Sequence, residues 1–540
     1  MLMRSLFAVA LVAASALSQN PQPPGVRSIG AGCGQFGAST RLMLSQRLRP
    51  GAATQLSING MRPNTTAALW TGWSTTQWGP MALPLGLGFA GMPGCDLLVA
   101  PDAPFAFPTG SGTAQAGFGV PRSSVIVGAD LGLQVAQYDP TANAAGLVWS
   151  HGLEARIGPM PAATSLVSSI TQFGISFQFA QPVRAGRFVN GDWFVIGPAQ
   201  VIAMSPPCTT LNGRVMNGAM VNPAATSKHQ GYDSAMYGSG NSQYYVPALN
   251  VELGISAANP LTLVPNESLI KSVSNTDPNI LTSLRAAAVL TCLAVPPAEG
   301  SFRPPYSGND HDVRYDVTML DWSALAALQP AAGMPVIATE AARFERPWID
   351  HCPGWPSRDM HPEDNMPDYG RDFTAIYNQA TLLCNLAVPQ QDRELLLIRL
   401  VQIGIDFWGN VQNGCYWEGV GGHGSGRKWP ILFAGRLLND AAMLNVGYSH
   451  RTYRNPDGTY EVHFGEDGQT FYVAETAPGV YNWGYGGYTA QHVGLPEFGF
   501  SHMHWPQSDH EPWGQDPYRR CCTANAWIGG LLCVRIMGLV

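Results

Sequence analysis

A multidomain β-then-α chain is predicted: two N-terminal β-sandwich-like domains, then a mainly α-helical domain of α/α toroid-like form, complete or incomplete. Three observations lead there. The chain has 540 residues, more than one ordinary domain. Up to about residue 300, short strand-like runs alternate with Gly- and Pro-rich turns; beyond it, apolar residues recur at helical spacing. Only 12% of residues are charged and 45% are hydrophobic, while 60 glycines and 43 prolines demand many turns and long ordered loops.

At the N-terminus, Arg4 precedes an apolar run from Leu6 to Val12 and then Ala16-Leu17-Ser18. This predicts a signal peptide over residues 1–18, cut before Gln19, and a secreted, periplasmic or cell-surface chain. The run is short for a span of about 30 Å, and no later segment reaches the roughly 18 apolar residues a membrane helix needs. Residues 19–30, with Pro21, Pro23 and Pro24, read as an extended linker. Residues 31–158 hold strand-like Gln55–Ile58, Ala67–Gly72, Ser124–Val127, Leu131–Tyr138 and Leu147–Ile157, and predict an accessory β-sandwich. Export permits disulfides, and Cys33 and Cys95 stand alone in the first 200 residues, so they are expected to pair. No CxxC occurs, which argues against a structural zinc site.

A second β-rich domain is expected over 163–300, from Gly174–Phe179, Phe188–Gly197, Ala199–Met204 and Ala286–Leu293, with Asn190-Gly191 as a tight turn. The toroid-like domain is expected over 301–540. There Asp372–Leu386 shows one apolar stripe, and Arg393–Trp408 is apolar nearly all round, as in a helix enclosed on all sides. Lys428–Leu438 and Thr523–Met537 are further helices, and Tyr453–Val473 reads as a hairpin.

The net charge of -7 and the lack of any basic run give no electrostatic footprint for nucleic acid. Chemistry concentrates after residue 300, where 10 of 12 histidines and 10 of 15 tryptophans lie. Gly414–Trp429 packs six glycines, from Gly414 to Gly426, around Glu418, His423, Arg427 and Lys428, a density that implies unusual dihedrals or close backbone approach. Arg427 stands at a helix start and offers a bidentate donor for a carboxylate. A second cluster, Trp355–Asp372, contains Asp364, Tyr369, Arg371 and Asp372. A phenol near an arginine suits proton transfer, and Asn378 follows on the same helix. Trp417, Trp429, Trp483, Tyr485 and Trp505 are candidate stacking surfaces for sugar rings. His502-x-His504 has strand spacing that leaves a divalent metal as a weak alternative to the expected absence of any cofactor.

The stretch Leu131–Asn143 with Ser150–Gly158, together with Gly-Cys33-Gly and Pro93-Gly-Cys95, resembles a module of secreted proteins of planctomycete-type bacteria, which implies an accessory role. Gly421–Gly435, Gly186–Trp193 and Tyr518–Trp527 resemble bacterial exported proteins loosely similar to α/α-toroid polysaccharide lyases. That resemblance implies β-elimination on a uronic-acid glycan. The expected roles are neutralisation of the carboxylate by Arg427 with Asn378, His423 as base and Tyr369 as acid or second base. Arg371 and the aromatic residues would bind substrate. The alternatives are a glycoside hydrolase with Glu418 and Asp372 or Asp364 as paired carboxylates, and a noncatalytic glycan-binding protein.

Overall fold

The computed structural model describes residues 9–12, 22–23, 25–50, 53–121, 126–237, 244–419, 422–454, 460–481, 488–498 and 523–539. The chain forms two compact units. One comprises Met1–Ala162, Pro297–Gly300 and Arg314–Met319; the other Ala163–Pro296, Ser301–Val313 and Leu320–Val540.

The first unit is two antiparallel sheets around one core. A four-stranded sheet runs Val9–Val12, Ala114–Gly119, Ala53–Asn59, Arg41–Leu44, and a five-stranded sheet runs Ala103–Pro108, Thr66–Gly72, Asp130–Tyr138, Leu147–Arg156, Val26–Ile29. Alternation builds this core: Thr54, Leu56 and Ile58 point inward from one sheet, and Leu131, Leu133 and Val135 from the other. The buried Gln134 is satisfied, donating to the carbonyls of Asp96 and Ser150 and accepting from Leu98 N–H. Arg47 forms a buried ion pair with Asp316, which ties the 314–319 return to this unit.

Cys33 and Cys95 are bonded, as their isolation in the sequence predicted. Closing a loop across a separation of 62 residues removes about 4 kcal/mol of unfolded-state freedom. Reduction, or Cys33→Ala with Cys95→Ala, is therefore expected to lower the stability of this unit by about 2–4 kcal/mol, read by urea unfolding with and without reductant.

The second unit does not contain the expected toroid. Strand outweighs helix in the chain, 31% against 24%, and a curled β half-barrel is present instead. Its eight-stranded sheet runs Ala219–Val221, Glu267–Ser274, Leu284–Leu293, Trp193–Ile196, Ile175–Arg187, Ala199–Ser205, Leu261–Leu263, with Ser165–Gln172 paired to Ile175–Arg187. A toroid needs successive helical pairs, and the residues between 301 and 369 cannot supply them. Nine prolines there (304, 305, 330, 335, 347, 353, 356, 362 and 367) remove backbone donors and restrict the residue before each. That stretch folds as loops and short 3-10 turns, with one seven-residue helix, Ile337–Arg343.

Longer helices then follow: Gly370–Cys384, Gln390–Gln412, Lys428–Leu438 and Ala524–Ile536. The helix Gln390–Gln412 is buried from Leu396 through Val411 except at Arg399, against three of its neighbours. Inside its apolar surround runs a polar stripe at i, i+4 and i+8. Gln402 exchanges two 2.9 Å hydrogen bonds with the Arg303 backbone. Asp406 accepts from both terminal nitrogens of Arg303 at 2.9 and 2.6 Å, while Arg303 Nε reaches Asp192 at 2.6 Å. Asn410 donates to the carbonyl of Asp350 and accepts from Ser307. The stripe thus fixes the backbone at Asp350, from which the candidate site grows. In the expected hairpin, Thr452–Arg454 pairs with Tyr460–Val462; the turn at Asp457-Gly458 lies outside the described residues.

Candidate functional site

Two segments meet in the second unit. The first is Asp350–Met360, where Gly354 has φ 76° and ψ -167°, a conformation that only glycine adopts cheaply. That bend delivers the 3-10 turn Trp355–Met360. The second is the glycine-rich loop ending in Gly426, whose φ is 94°. A Cβ on Gly370, in the first turn of the helix Gly370–Cys384, would lie 1.9 Å from the His423 carbonyl, so this helix is pressed onto the loop.

The deepest layer is charged. Arg427, Asp350 and His361 are all fully buried. Arg427 Nε donates to Asp350 Oδ2 (2.7 Å), and its Nη1 donates to the carbonyls of His423 and Ser425 (both 2.6 Å). The guanidinium also lies 4.2 Å from the centre of the Phe373 ring. His361 Nε2 is 3.0 Å from Asp350 Oδ1 and 3.4 Å from Arg427 Nη2. The ionised Asp350 carboxylate can only accept, so His361 Nε2 carries a proton and donates it to Asp350. Burial alone would raise the Asp350 carboxyl, but Arg427 and His361 outweigh it and hold it below the usual range.

Against this layer sits His423, 2% exposed, with Nε2 2.8 Å from Ser357 Oγ and, among the described residues, no partner on Nδ1. Burial, then Arg427 and His361, lower its pKa well below the ordinary histidine value, so the ring is neutral. Three rings flank it, Trp355 at 5.2 Å and His361 and Tyr369 at 6.0 Å between centres.

The outer layer is amphipathic. Trp355 is 43% exposed, and Arg358 lies 4.8 Å from its ring centre and 5.8 Å from that of Tyr369. Arg371 lies over the Tyr369 ring at 5.4 Å. Arg358 pairs with Asp368, and Arg371 with Asp372. Glu418 and Lys228 flank Gly354: a Cβ there would stand 3.1 Å from Glu418 Oε1 and 3.8 Å from Lys228 Nζ. Asp359 is pushed up to about 6, by burial first and then by Asp368, against the pull of Arg358.

The structure therefore brings together His423, Tyr369, Arg371, Glu418 and Arg427, but assigns Arg427 a different task from the expected one. Its Nε and Nη1 donors are spent on Asp350 and on the loop backbone, and the side chain is fully buried, so it holds His423 in place instead of meeting a ligand. Asn378 is elsewhere, because Gly529 and Gly530 let the helix Ala524–Ile536 close onto it and its Nδ2 donates to the Ala526 carbonyl (2.7 Å). Trp417 (1% exposed) stacks on Phe464, and Trp429 (7% exposed) donates to Thr381; both are core residues and present no open stacking face. Asp364 is held by Arg346 and Arg285, and Asp372 by Arg371, which weakens the paired-carboxylate alternative. Trp483, Tyr485, Trp505, His502 and His504 lie outside the described residues. Among the described residues no group of three or more His, Cys, Asp or Glu gathers as a metal site. Sequence reasoning missed Asp350 and Ser357, while Arg358 and His361 fell within the Trp355–Asp372 cluster without an assigned role. The one available signal was Pro353-Gly-Trp-Pro356, whose prolines and glycine disfavour an α-helix and set Ser357 in a tight turn.

Beside Asp350, His351 is 2% exposed between Tyr232 and Tyr306, with ring centres 6.0 and 5.6 Å away. Burial lowers it to about 4, against an upward pull from Asp350. Above pH 6.5 neither state holds this proton; between 6.5 and about 4 the unfolded chain binds one that the folded chain refuses. Stability is thus lost as pH falls through that window, by about 3 kcal/mol from this residue. His351→Phe is expected to flatten the acid slope of urea-unfolding free energy by close to one proton; an unchanged slope would refute the assignment.

No family model matches the chain, and no curated protein does. Among solved structures it aligns with the crystal structure of Salmonella alpha-2-macroglobulin reacted with methylamine, at TM-score 0.15 and 11% identity, over 76% of this chain and 30% of that one. At that score the likeness carries no argument about fold, and the chain spans less than a third of the other protein's length. What the geometry defines is a β-rich, disulfide-bonded chain with a neutral imidazole and a phenol beside an aromatic–arginine surface.

Proposed function

We propose that this chain is an exported carbohydrate-active enzyme, a polysaccharide lyase that cleaves a uronic-acid glycan by β-elimination. The observation that carries the reading is His423, held neutral and buried, 6.0 Å between ring centres from the half-buried Tyr369 and adjoining the exposed Trp355. β-Elimination breaks the C5–H bond, forms the C4–C5 double bond and expels the O4 leaving group, which takes a proton. It therefore needs proton transfer at two atoms and a donor for the carboxylate that draws charge as C5 is deprotonated. Tyr369 and His423 supply the reactive groups, Arg358 the cation, and Trp355 an apolar face for the sugar ring. Arg427 and Asp350 hold the imidazole. The Cys33–Cys95 disulfide supports an oxidising, exported location, and no helix among the described residues is long and apolar enough to cross a membrane.

Incubation of the purified chain with alginate, pectin, heparin and ulvan is expected to raise ultraviolet absorbance from an unsaturated uronate on at least one of them. New reducing ends without that chromophore would select hydrolysis instead. Binding without any product would select a noncatalytic role.

A further inference from the structure

We infer that Ser357 sets the tautomer of His423, so that His423 presents an Nδ1–H donor to the carboxylate of the substrate and leaves the proton transfers to Tyr369. This deepens the lyase reading and rests on it for the identity of the anion. A neutral imidazole carries one proton, and the bond at Nε2 decides where it is. Ser357 is fully buried, and among the described residues the one partner of its hydroxyl oxygen is His423 Nε2 at 2.8 Å. A buried hydroxyl proton with a single acceptor in reach is given to that acceptor, so Nε2 is the lone-pair nitrogen and the ring proton is on Nδ1. The opposite assignment would strand two groups, the serine proton and the Nδ1 lone pair; this one strands only Nδ1–H.

That remaining donor points to a ligand. Among the described residues Nδ1 has no hydrogen-bond partner, and it is buried in a ring that is 2% exposed. A buried donor left unmet is costly, and an acceptor oxygen would recover that cost. The neighbouring charges favour an anionic one. Arg427 and Arg358 both act on this imidazole, and with Asp350 committed to Arg427 and His361 no carboxylate of the deep layer is left to take the proton. The arrangement also explains why burial of a histidine suits this site: a neutral ring donates one hydrogen bond to the carboxylate, and it cannot serve as a strong acid that would quench the carbanion.

The tautomer is read by two-bond 1H–15N NMR on the full chain, with the His423 resonances identified by their loss in His423→Gln. The expected result is an Nδ1–H tautomer whose proton moves downfield on addition of glucuronate but not glucose, with Ser357→Ala redistributing the proton between the two nitrogens. An Nε2–H tautomer, or an Nδ1 proton indifferent to glucuronate, overturns the inference. Turnover supplies a second arm. Asn places an amide donor where Nδ1 stands, so His423→Asn should keep kcat within about tenfold while His423→Ala loses about 100-fold or more; equal loss in both would make His423 a base and contradict the donor role. The NMR arm needs no turnover. A glycan panel without unsaturated product, combined with a glucuronate-responsive Nδ1–H, would defeat the lyase reading and leave the carboxylate site intact.

Discussion

Arg303→Met is expected to cost the second unit about 3–5 kcal/mol. The guanidinium is fully buried between Asp192 and Asp406, whose side chains are each 1% exposed. Removing it strands two carboxylates in a medium that cannot solvate them. The cost therefore comes from the anions left behind more than from the bonds lost. The discriminating variant is the triple substitution Arg303→Met, Asp192→Asn, Asp406→Asn, which removes all three charges together and is expected to recover more than half of the loss. Urea unfolding of the parent, the single and the triple variant measures this. A triple variant as unstable as the single one would place the damage in the hydrogen bonds and packing, and the electrostatic explanation would fail.

The second large effect is catalytic. Tyr369→Phe deletes one oxygen from a half-buried ring at the start of the helix Gly370–Cys384, where the tyrosine makes no side-chain capping bond. The fold is expected to persist, with an unfolding free energy within about 1 kcal/mol of the parent. Turnover of the uronate glycan is expected to fall by about 100- to 10,000-fold, the range that positioned proton transfer contributes, mainly in kcat. A Phe variant that loses stability and activity in parallel would recast Tyr369 as a packing residue.

How far these features were legible in the sequence varies with the physics behind each one. The Cys33–Cys95 bond was legible because no other cysteine competed for either partner in that region. The enclosed helix at Arg393–Trp408 was legible as well, since a segment apolar on every face has no stable exposed arrangement. Its polar stripe was overlooked: Gln402, Asp406 and Asn410 recur every four residues, and that spacing within an apolar helix marks buried groups that must find partners. The toroid expectation failed because the proline-rich stretch between 301 and 369 supplies only short 3-10 turns and the one seven-residue helix Ile337–Arg343. The glycine-rich loop drew attention correctly, but Arg427 was given an outward role on the strength of its place at a helix start. Its partner Asp350 lies 77 residues upstream, and no local pattern announces an ion pair across that distance. Ser357 carried no signal of its own, being one polar residue in a turn whose meaning appears only when the loop at His423 folds onto it.

The most direct measurement is proton NMR of the products formed when the full chain and its Tyr369→Phe variant act on the glycans named above. The account predicts a vinylic C4 proton of an unsaturated uronate with the parent chain and almost none with the variant. Saturated sugars alone, or a vinylic product formed equally well by both chains, would contradict it.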